Sequence, residues 1–403
     1  MTGYAARAEF LPFSRPTIES EEIAEVVDSM RSGWITTGPK VARFEAMFRE
    51  HLGVSEAIAV SSATAAWHLV VKALGIGPGD EVILPAITWP SMANIVELAG
   101  ARAVFADVHP DTLQVDASDV ARRINEHTRA VVPVHFAGAP CNVDALLSVI
   151  GARPIALIED AAHALGTRYS GRDAGQRVGS SGRLALFSFH AIKNVTTGEG
   201  GLIACNDAGL AKRLRLLRFH GITRDTWART QGGGTADFEI LEPGYKYNML
   251  DIQAAMGLHQ LPKLARFNAR RAALAARYDT LLAGLPWVQP LASAGLPEYH
   301  AHHLYVVRLN LAALGLGAAQ GRDQFAQALA RYHIGTGLHF PAVHLKQYYR
   351  ERYGYSRADC PHAVALGESI VSLPLYPAMA DEDVDDVVSA MVQVAQEVAH
   401  WEK

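Results

Sequence analysis

The chain has 403 residues, 49% apolar and 19% charged, with a formal net charge of −4 and a pI near 6.5. That length and composition suit a globular chain with a large core and room for two domains, and the near-neutral charge gives no reason to invoke nucleic acid or an acidic membrane surface as partner. Three cysteines without a CxxC spacing argue against a disulfide framework or a zinc site, and no HExxH-like pattern appears, so no metal is expected.

The segment "MTGYAARAEFLPFSRP" lacks the apolar core of a secretory signal. No apolar run approaches the ~18 residues of a membrane span. The expected place is the cytoplasm, with no membrane contact. A helix is predicted from near Thr17, with acids in its first turn, to Gly33. Strand-like runs follow at 57–62, 81–86, 103–108, 130–136, 155–160, 184–189 and 201–205. Several are almost continuously apolar, as in strands buried on both faces. Helical stretches such as "ATAAWHLVVKALG" lie between many of them, which predicts an α/β fold with a mostly parallel seven-stranded sheet. The polar, glycine-rich stretch 223–239 reads as a mobile loop. After about residue 250 the pattern becomes long helix, bent at Pro262, then a strand in "HHLYVVRLNL" and two amphipathic helices. The expected domains are 1–261, an N-terminal arm with the large domain, and 262–403, a small α+β domain.

Ligands of open α/β sheets bind beyond the carboxyl ends of the strands, and three such ends carry chemistry. "AVSSATAAWHL" runs from strand to helix through Ala63 and Thr64, where free N–H groups and the helix dipole can hold a phosphate. An ordinary helix cap explains that stretch as well. "IALIEDAAHALG" ends a buried strand in Asp160, with His163 three residues on. A buried carboxylate needs a partner, such as a protonated pyridine nitrogen, although a capping aspartate also fits. "LALFSFHAIKNVTTGEGG" places Ser188 and Lys193 at a third strand end. Of 37 cationic residues only eight are lysine, so a lysine here is not the default surface charge. An amine, unlike a guanidinium, can lose a proton and attack a carbonyl. A phosphate site, an anion for a ring nitrogen and an amine for a carbonyl together describe pyridoxal 5′-phosphate (PLP) held as a Schiff base.

The motifs "IEDAAHALG", "FSFHAIKNVTTGEGG" and "GYKYNMLDIQAA" resemble those of the DegT/DnrJ/StrS sugar aminotransferases, from "PFSRP" at 12–16 to "SLPLYP" at 372–377. The resemblance implies the fold type I, aspartate-aminotransferase-like architecture. It implies Lys193 as the Schiff-base and proton-carrying residue, Asp160 paired with the pyridinium nitrogen, and His163 near the 3-oxygen. Ala63, Thr64 and Ser188 would bind the phosphate, and Trp89 would stack on the ring. Asn248 would reach the phosphate in the other subunit, which makes a homodimer with shared sites the expected unit. Thr36, Thr37 and His339 are candidates to line the sugar site, and each reads equally as a turn or packing residue.

"SGWITTGPK", "PVHFAGAP", "GTGLHFPAVH" and "QYYRERY" look most like the branch that acts on a UDP-4-keto-pentose to make 4-amino-4-deoxy-L-arabinose. The loop "VTTGEGG" has the broad family form, and Pro90 after Trp89 departs from the pattern near the sugar. The expected reaction takes an amino group from L-glutamate, through pyridoxamine phosphate, to C4 of a nucleotide-linked 4-keto-sugar, releasing 2-oxoglutarate. A sugar dehydratase of the same fold would carry histidine in place of Lys193. A non-catalytic cofactor-binding or regulatory protein would lose Lys193 or Asp160. A NAD dehydrogenase would show GxGxxG in the first strand–helix turn.

Overall fold

The computed structural model describes residues 4–223, 238–292 and 299–398. Most of the predicted loop at 223–239 therefore lies outside the described residues. The large sheet contains β1 (Glu56–Val60), β2 (Glu81–Pro85), β3 (Arg102–Ala106), β4 (Thr128–Val131), β5 (Ala156–Asp160), β6 (Leu184–Ser188) and β7 (Gly201–Cys205), in the order β1-β7-β6-β5-β4-β2-β3. β7 runs antiparallel to both of its neighbours, and the other pairings are parallel. The seven apolar runs of the sequence are thus the seven strands.

Two alternating sets of side chains bury the sheet's faces, as a period of two requires. Ile58, Val60, Leu84 and Leu186 join one core with Trp67 of α3 (Ala63–Ala73). Ala57, Ala59, Ile83 and Phe187 join the other with Phe44 and Phe48 of α2 (Pro39–Leu52). Several predicted ends move by a few residues. The first helix, α1 (Ser20–Ser32), starts at Ser20 and not near Thr17, because Glu19 and Glu22 form a capping box there. The strand in the run 130–136 ends at Val131, and beyond Pro133, which has no N–H to give the ladder, only an isolated bridge joins Val134 to Asp160. No helix follows β5, so Asp160 caps a turn by accepting from Ala162 N at 2.9 Å.

The remaining helices of the large sheet are α4 (Ser91–Leu98), α5 (Ala117–Arg123), α6 (Val143–Ile150) and α7 (Ala208–Arg218). A single helix, α8 (Asp251–Leu282), then continues through Pro262. Its first half packs on the sheet core through Leu258, Leu261 and Leu264. Its second half joins a third core with β8 (Val288–Pro290), β9 (Tyr305–Leu309), α9 (Ala318–Arg331), β10 (Ile370–Leu373) and α12 (Asp381–Val398). Two short helices, α10 (Gln347–Tyr353) and α11 (Pro361–Gly367), lie between α9 and β10. No helix among the described residues is long and apolar enough to cross a membrane.

Close packing of α8 against α2 yields a stability test. A Cβ on Gly257 would lie 2.3 Å from Cε2 of the buried Phe44 ring. Gly257→Ala should therefore destabilise the fold by about 1–3 kcal/mol, although alanine favours an isolated helix by about 1 kcal/mol. Denaturant titration checks this, and a more stable variant would show that the ring yields freely.

Candidate active site

Six strands point their carboxyl ends to one edge of the sheet, and the loops there surround a cavity of about 390 Å³. Its walls include Ala63, Thr64, Trp89, Asp160, His163, Ser188, Lys193 and His339. Eight of the eleven residues singled out in the sequence thus meet in one place. They come from five separate chain segments.

The floor begins at the N-terminus of α3. Ser62 caps this helix by accepting from Ala65 N at 3.0 Å. The amides of Ala63 and Thr64 find no acceptor among the described residues, as expected of a helix's first turn. Gly201 packs against this turn so closely that a Cβ would lie 2.5 Å from the Ser62 carbonyl carbon. Only glycine leaves the cradle open. Ser188, at the end of β6, accepts weakly from His190 N at 3.4 Å.

Asp160 is buried at the end of β5, beside Leu186 of β6. Its backbone is fixed by bonds to Pro133 O and from His135 N. One carboxylate oxygen accepts from Ala162 N, and the other has no protein partner among the described residues. Burial raises its pKa, opposed by the Ala162 N–H and the Lys193 charge. On the opposite face of β5, Glu159 accepts from His135 at 2.9 Å, Tyr169 at 2.8 Å and Arg183 at 2.9 Å.

Lys193 sits in the turn after β6, where its N–H donates to His190 O. Burial pushes its amine down from 10.5 to about 8, and Asp160 pulls the other way. The pKa of His163 is held well below 6.5, first by burial and then by Lys193. Its Nδ1 is buried without a partner among the described residues. His339 is depressed to about 4 by the same two causes. Trp89 is 59% exposed at the mouth, with its ring 5.9 Å from Phe340, and Pro90 forms the N-cap of α4.

Thr36, Thr37 and Asn248 stand apart from this cavity. Asn248 donates to Thr37 Oγ1, Thr37 donates to Met249 O at 2.6 Å, and Thr36 O accepts from Asp251 N. Asp251 itself caps α2, accepting from Gly38, Lys40 and Val41. Thr37 and Asn248 line a second cavity, of about 630 Å³, beside α7. Sequence reasoning passed over Thr88, His190, Glu199 and Phe340, which also line the first cavity. Three of them lie inside or beside quoted motifs, and adjacency to Lys193 and His339 was the available signal. Among the described residues no group of three or more side chains could hold a metal ion.

Residues 16–392 match the DegT/DnrJ/EryC1/StrS aminotransferase family. The chain belongs to that family. Spr1654 of Streptococcus pneumoniae, assigned as a sugar aminotransferase and solved with pyridoxamine phosphate (PMP), is 34% identical over 96% of this chain and 98% of that one, with a TM-score of 0.87. It is also solved in a PLP form. PseC of Helicobacter pylori, an aminotransferase of pseudaminic acid biosynthesis, is 26% identical over 96% and 100% of the two chains, with a TM-score of 0.86. DesI, solved with its TDP-sugar product, is 31% identical over 99% and 95%, with a TM-score of 0.83.

The protein is a PLP-dependent sugar aminotransferase, with the α/β architecture of that family. Its cavity suits the cofactor. It offers free helix amides for a phosphate, a carboxylate oxygen without a partner, an unpartnered imidazole nitrogen and an amine poised near neutrality.

The amine's depressed pKa has a sign that can be tested. The neutral form is the nucleophile, so reactivity should rise as pH passes through about 8, well below the ordinary 10.5. Reductive alkylation of cofactor-free protein by a neutral aldehyde, mapped to Lys193 across pH, checks this. A midpoint near 10 would show that burial does not depress the amine.

Proposed function

We propose that the protein moves the amino group of L-glutamate to C4 of a nucleotide-linked 4-keto-sugar, with a UDP-4-keto-pentose as first candidate. The observation that carries the reading is that Lys193, Asp160 and the α3 N-terminus line one cavity. When bound, PLP supplies an electron-withdrawing ring. The amides of Ala63 and Thr64, with the α3 dipole, hold the phosphate, and Ser188 adds a hydroxyl. Asp160 would face the ring nitrogen, and a cationic nitrogen there would reverse the rise in its pKa and keep it negative. Lys193 would hold the cofactor at its carbonyl carbon, and its free amine would accept and return a proton at the substrate carbon. A pKa near 8 lets one amine both accept and release that proton at neutral pH. Trp89, at the cavity mouth, would cover the ring face. His163 and His339 stay uncharged and do not repel Lys193.

The pentose branch is supported by where its four motifs lie. "GTGLHFPAVH" brings His339 and Phe340 to the cavity. "PVHFAGAP" fixes the Asp160 backbone through Pro133 and His135. "QYYRERY" anchors α4, which follows Trp89, through Tyr349 to Asn94 and Tyr353 to Glu97. "SGWITTGPK" holds Asn248 through Thr37. The presence of Lys193 speaks against a dehydratase, and Lys193 with Asp160 against a non-catalytic protein.

The proposal includes a homodimer in the cytoplasm, with Asn248 serving the neighbour's phosphate. Asn248 stands outside its own subunit's cavity lining, and the apolar Ile35 (51% exposed) and Leu250 (40% exposed) flank its segment. The division into 1–261 and 262–403 is part of the same reading. α8 crosses it, leaving the sheet core for the third core.

The deciding experiment incubates the protein with glutamate and UDP-, GDP- and dTDP-linked 4-keto-sugars and follows product mass. Amination of the UDP-pentose at C4 is the expected result, and no amination of any member would overturn the reading. Asp160→Asn should lower the rate by about three orders of magnitude or more while circular dichroism stays unchanged. A rate within a few-fold of wild type would reduce Asp160 to a turn cap. For the shared site, two inactive variants are mixed, Lys193→Ala and Asn248→Asp. One site of a mixed dimer collects both defects and the other is intact, so about half the activity per mixed dimer should return. No recovery would place both residues in one subunit's site.

A further inference from the structure

His339 reaches the cavity from the side of the three-stranded sheet, and contacts behind the cavity hold it. Its Nδ1 lies 2.9 Å from Ser372 Oγ. Ser372 is fully buried on β10 and bonds Gly337 through both backbone groups, at 2.9 and 2.8 Å. Phe13, from the N-terminal arm, stacks on the imidazole at 5.2 Å and 29°. Gly337 leaves room for this stack, since a Cβ there would lie 2.8 Å from His339 Cε1 and 3.1 Å from Phe13 Cε2. The ring therefore has little freedom to turn.

The hydrogen between His339 and Ser372 can be assigned from what surrounds it. A hydroxyl can donate or accept, and so can an imidazole nitrogen. Ser372 Oγ makes no other hydrogen bond among the described residues, and at 0% exposure it is closed to water. If Nδ1 carried the hydrogen, the Ser372 O–H would be left buried with no acceptor. That arrangement should be disfavoured by at least about tenfold. If Ser372 donates, both groups are satisfied. The single ring hydrogen then sits on Nε2. His339 lines the cavity, and its Nε2 is neither buried nor bonded among the described residues.

We infer that Ser372 is a positioning residue, which holds His339 in its Nε2–H form so that the cavity receives a hydrogen-bond donor aimed at an oxygen of the sugar substrate. Burial and the Lys193 charge keep His339 uncharged near neutral pH, so the ring carries a single hydrogen for Ser372 to place. Such a donor favours a hydroxyl or carbonyl oxygen over an ammonium group. The identity of the ligand rests on the function proposed above, whereas the tautomer does not.

The test uses protein labelled with 15N in the histidine rings, with and without PLP. Long-range 1H–15N correlations report the tautomer, and His339→Gln identifies the resonance. Wild type should show a protonated Nε2 and a bare Nδ1 at His339. Ser372→Ala should give a tautomer mixture and raise KM for the keto-sugar by the inverse of the Nε2–H fraction, about twofold for an even mixture. PLP uptake and the glutamate half-reaction should stay at the wild-type level, because neither needs this donor. Ser372→Thr should restore the wild-type pattern. A protonated Nδ1 in wild type, or an unchanged tautomer in Ser372→Ala, overturns the inference. Failure of every keto-sugar with wild-type enzyme would instead overturn the proposed function, and the spectra would still judge the tautomer.

Discussion

Asp160 and Lys193 bring opposite charges to one cavity, and neither forms an ion pair among the described residues. Burial acts on both in the direction of neutrality, raising the acid and lowering the amine. Each also favours the other's charged form. That balance is useful only if the two groups stay near each other without closing into a salt bridge. The sheet provides this, because Asp160 ends β5 while Lys193 lies five residues past the end of β6. The neighbouring acid, Glu159, shows the contrast. It faces the other way and is saturated by a histidine, a tyrosine and an arginine. One carboxylate is spent on structure, and the next is left incomplete for a ligand.

The histidines around this pair follow the same logic. His303 accepts nothing from Asn194. The Asn194 amide nitrogen is committed to Asn268 Oδ1 at 2.7 Å and Ala301 O at 2.8 Å, so its oxygen takes the hydrogen of His303 Nδ1. The His303 and His163 rings lie 4.5 Å apart, and burial keeps both uncharged. A charged imidazole in either place would add to Lys193 and draw the Asp160 carboxylate away from a ring nitrogen. Neutral histidines leave the lysine as the cation that Asp160 faces within the cavity.

The sheet was legible in the sequence because its strands are buried on both faces. Runs such as "AVFADV" and "GLIAC" have no polar side to confuse them with an amphipathic helix. The 130–136 run was overextended because hydrophobicity does not report that Pro133 lacks an amide hydrogen. The cavity's main chemical groups were legible because each stands at a strand end in a recognisable motif. Thr88 and Phe340 were not, since a threonine beside a tryptophan and a phenylalanine beside a histidine read as packing. Thr36 and Thr37 lie apart from the first cavity. Their loop looked like a substrate loop, but the structure ties both to residues 249–251 and Thr37 also to Asn248. Such ties join positions more than two hundred apart, which no local pattern contains.

The single reversed strand has a mechanical consequence. A parallel strand after β6 would have required the chain to leave the active edge and cross the whole sheet before returning. Because β7 runs backwards, Ser188 pairs directly with Gly201. The twelve residues between them, Lys193 included, form the closed end of a hairpin anchored on both sides. Phe189 N to Gly200 O and Thr197 N to Phe189 O knot it further. Lys193 can then swing its long side chain between bond partners while its backbone stays fixed. The moving part of the reaction is reduced to a tether of four methylenes on a rigid post.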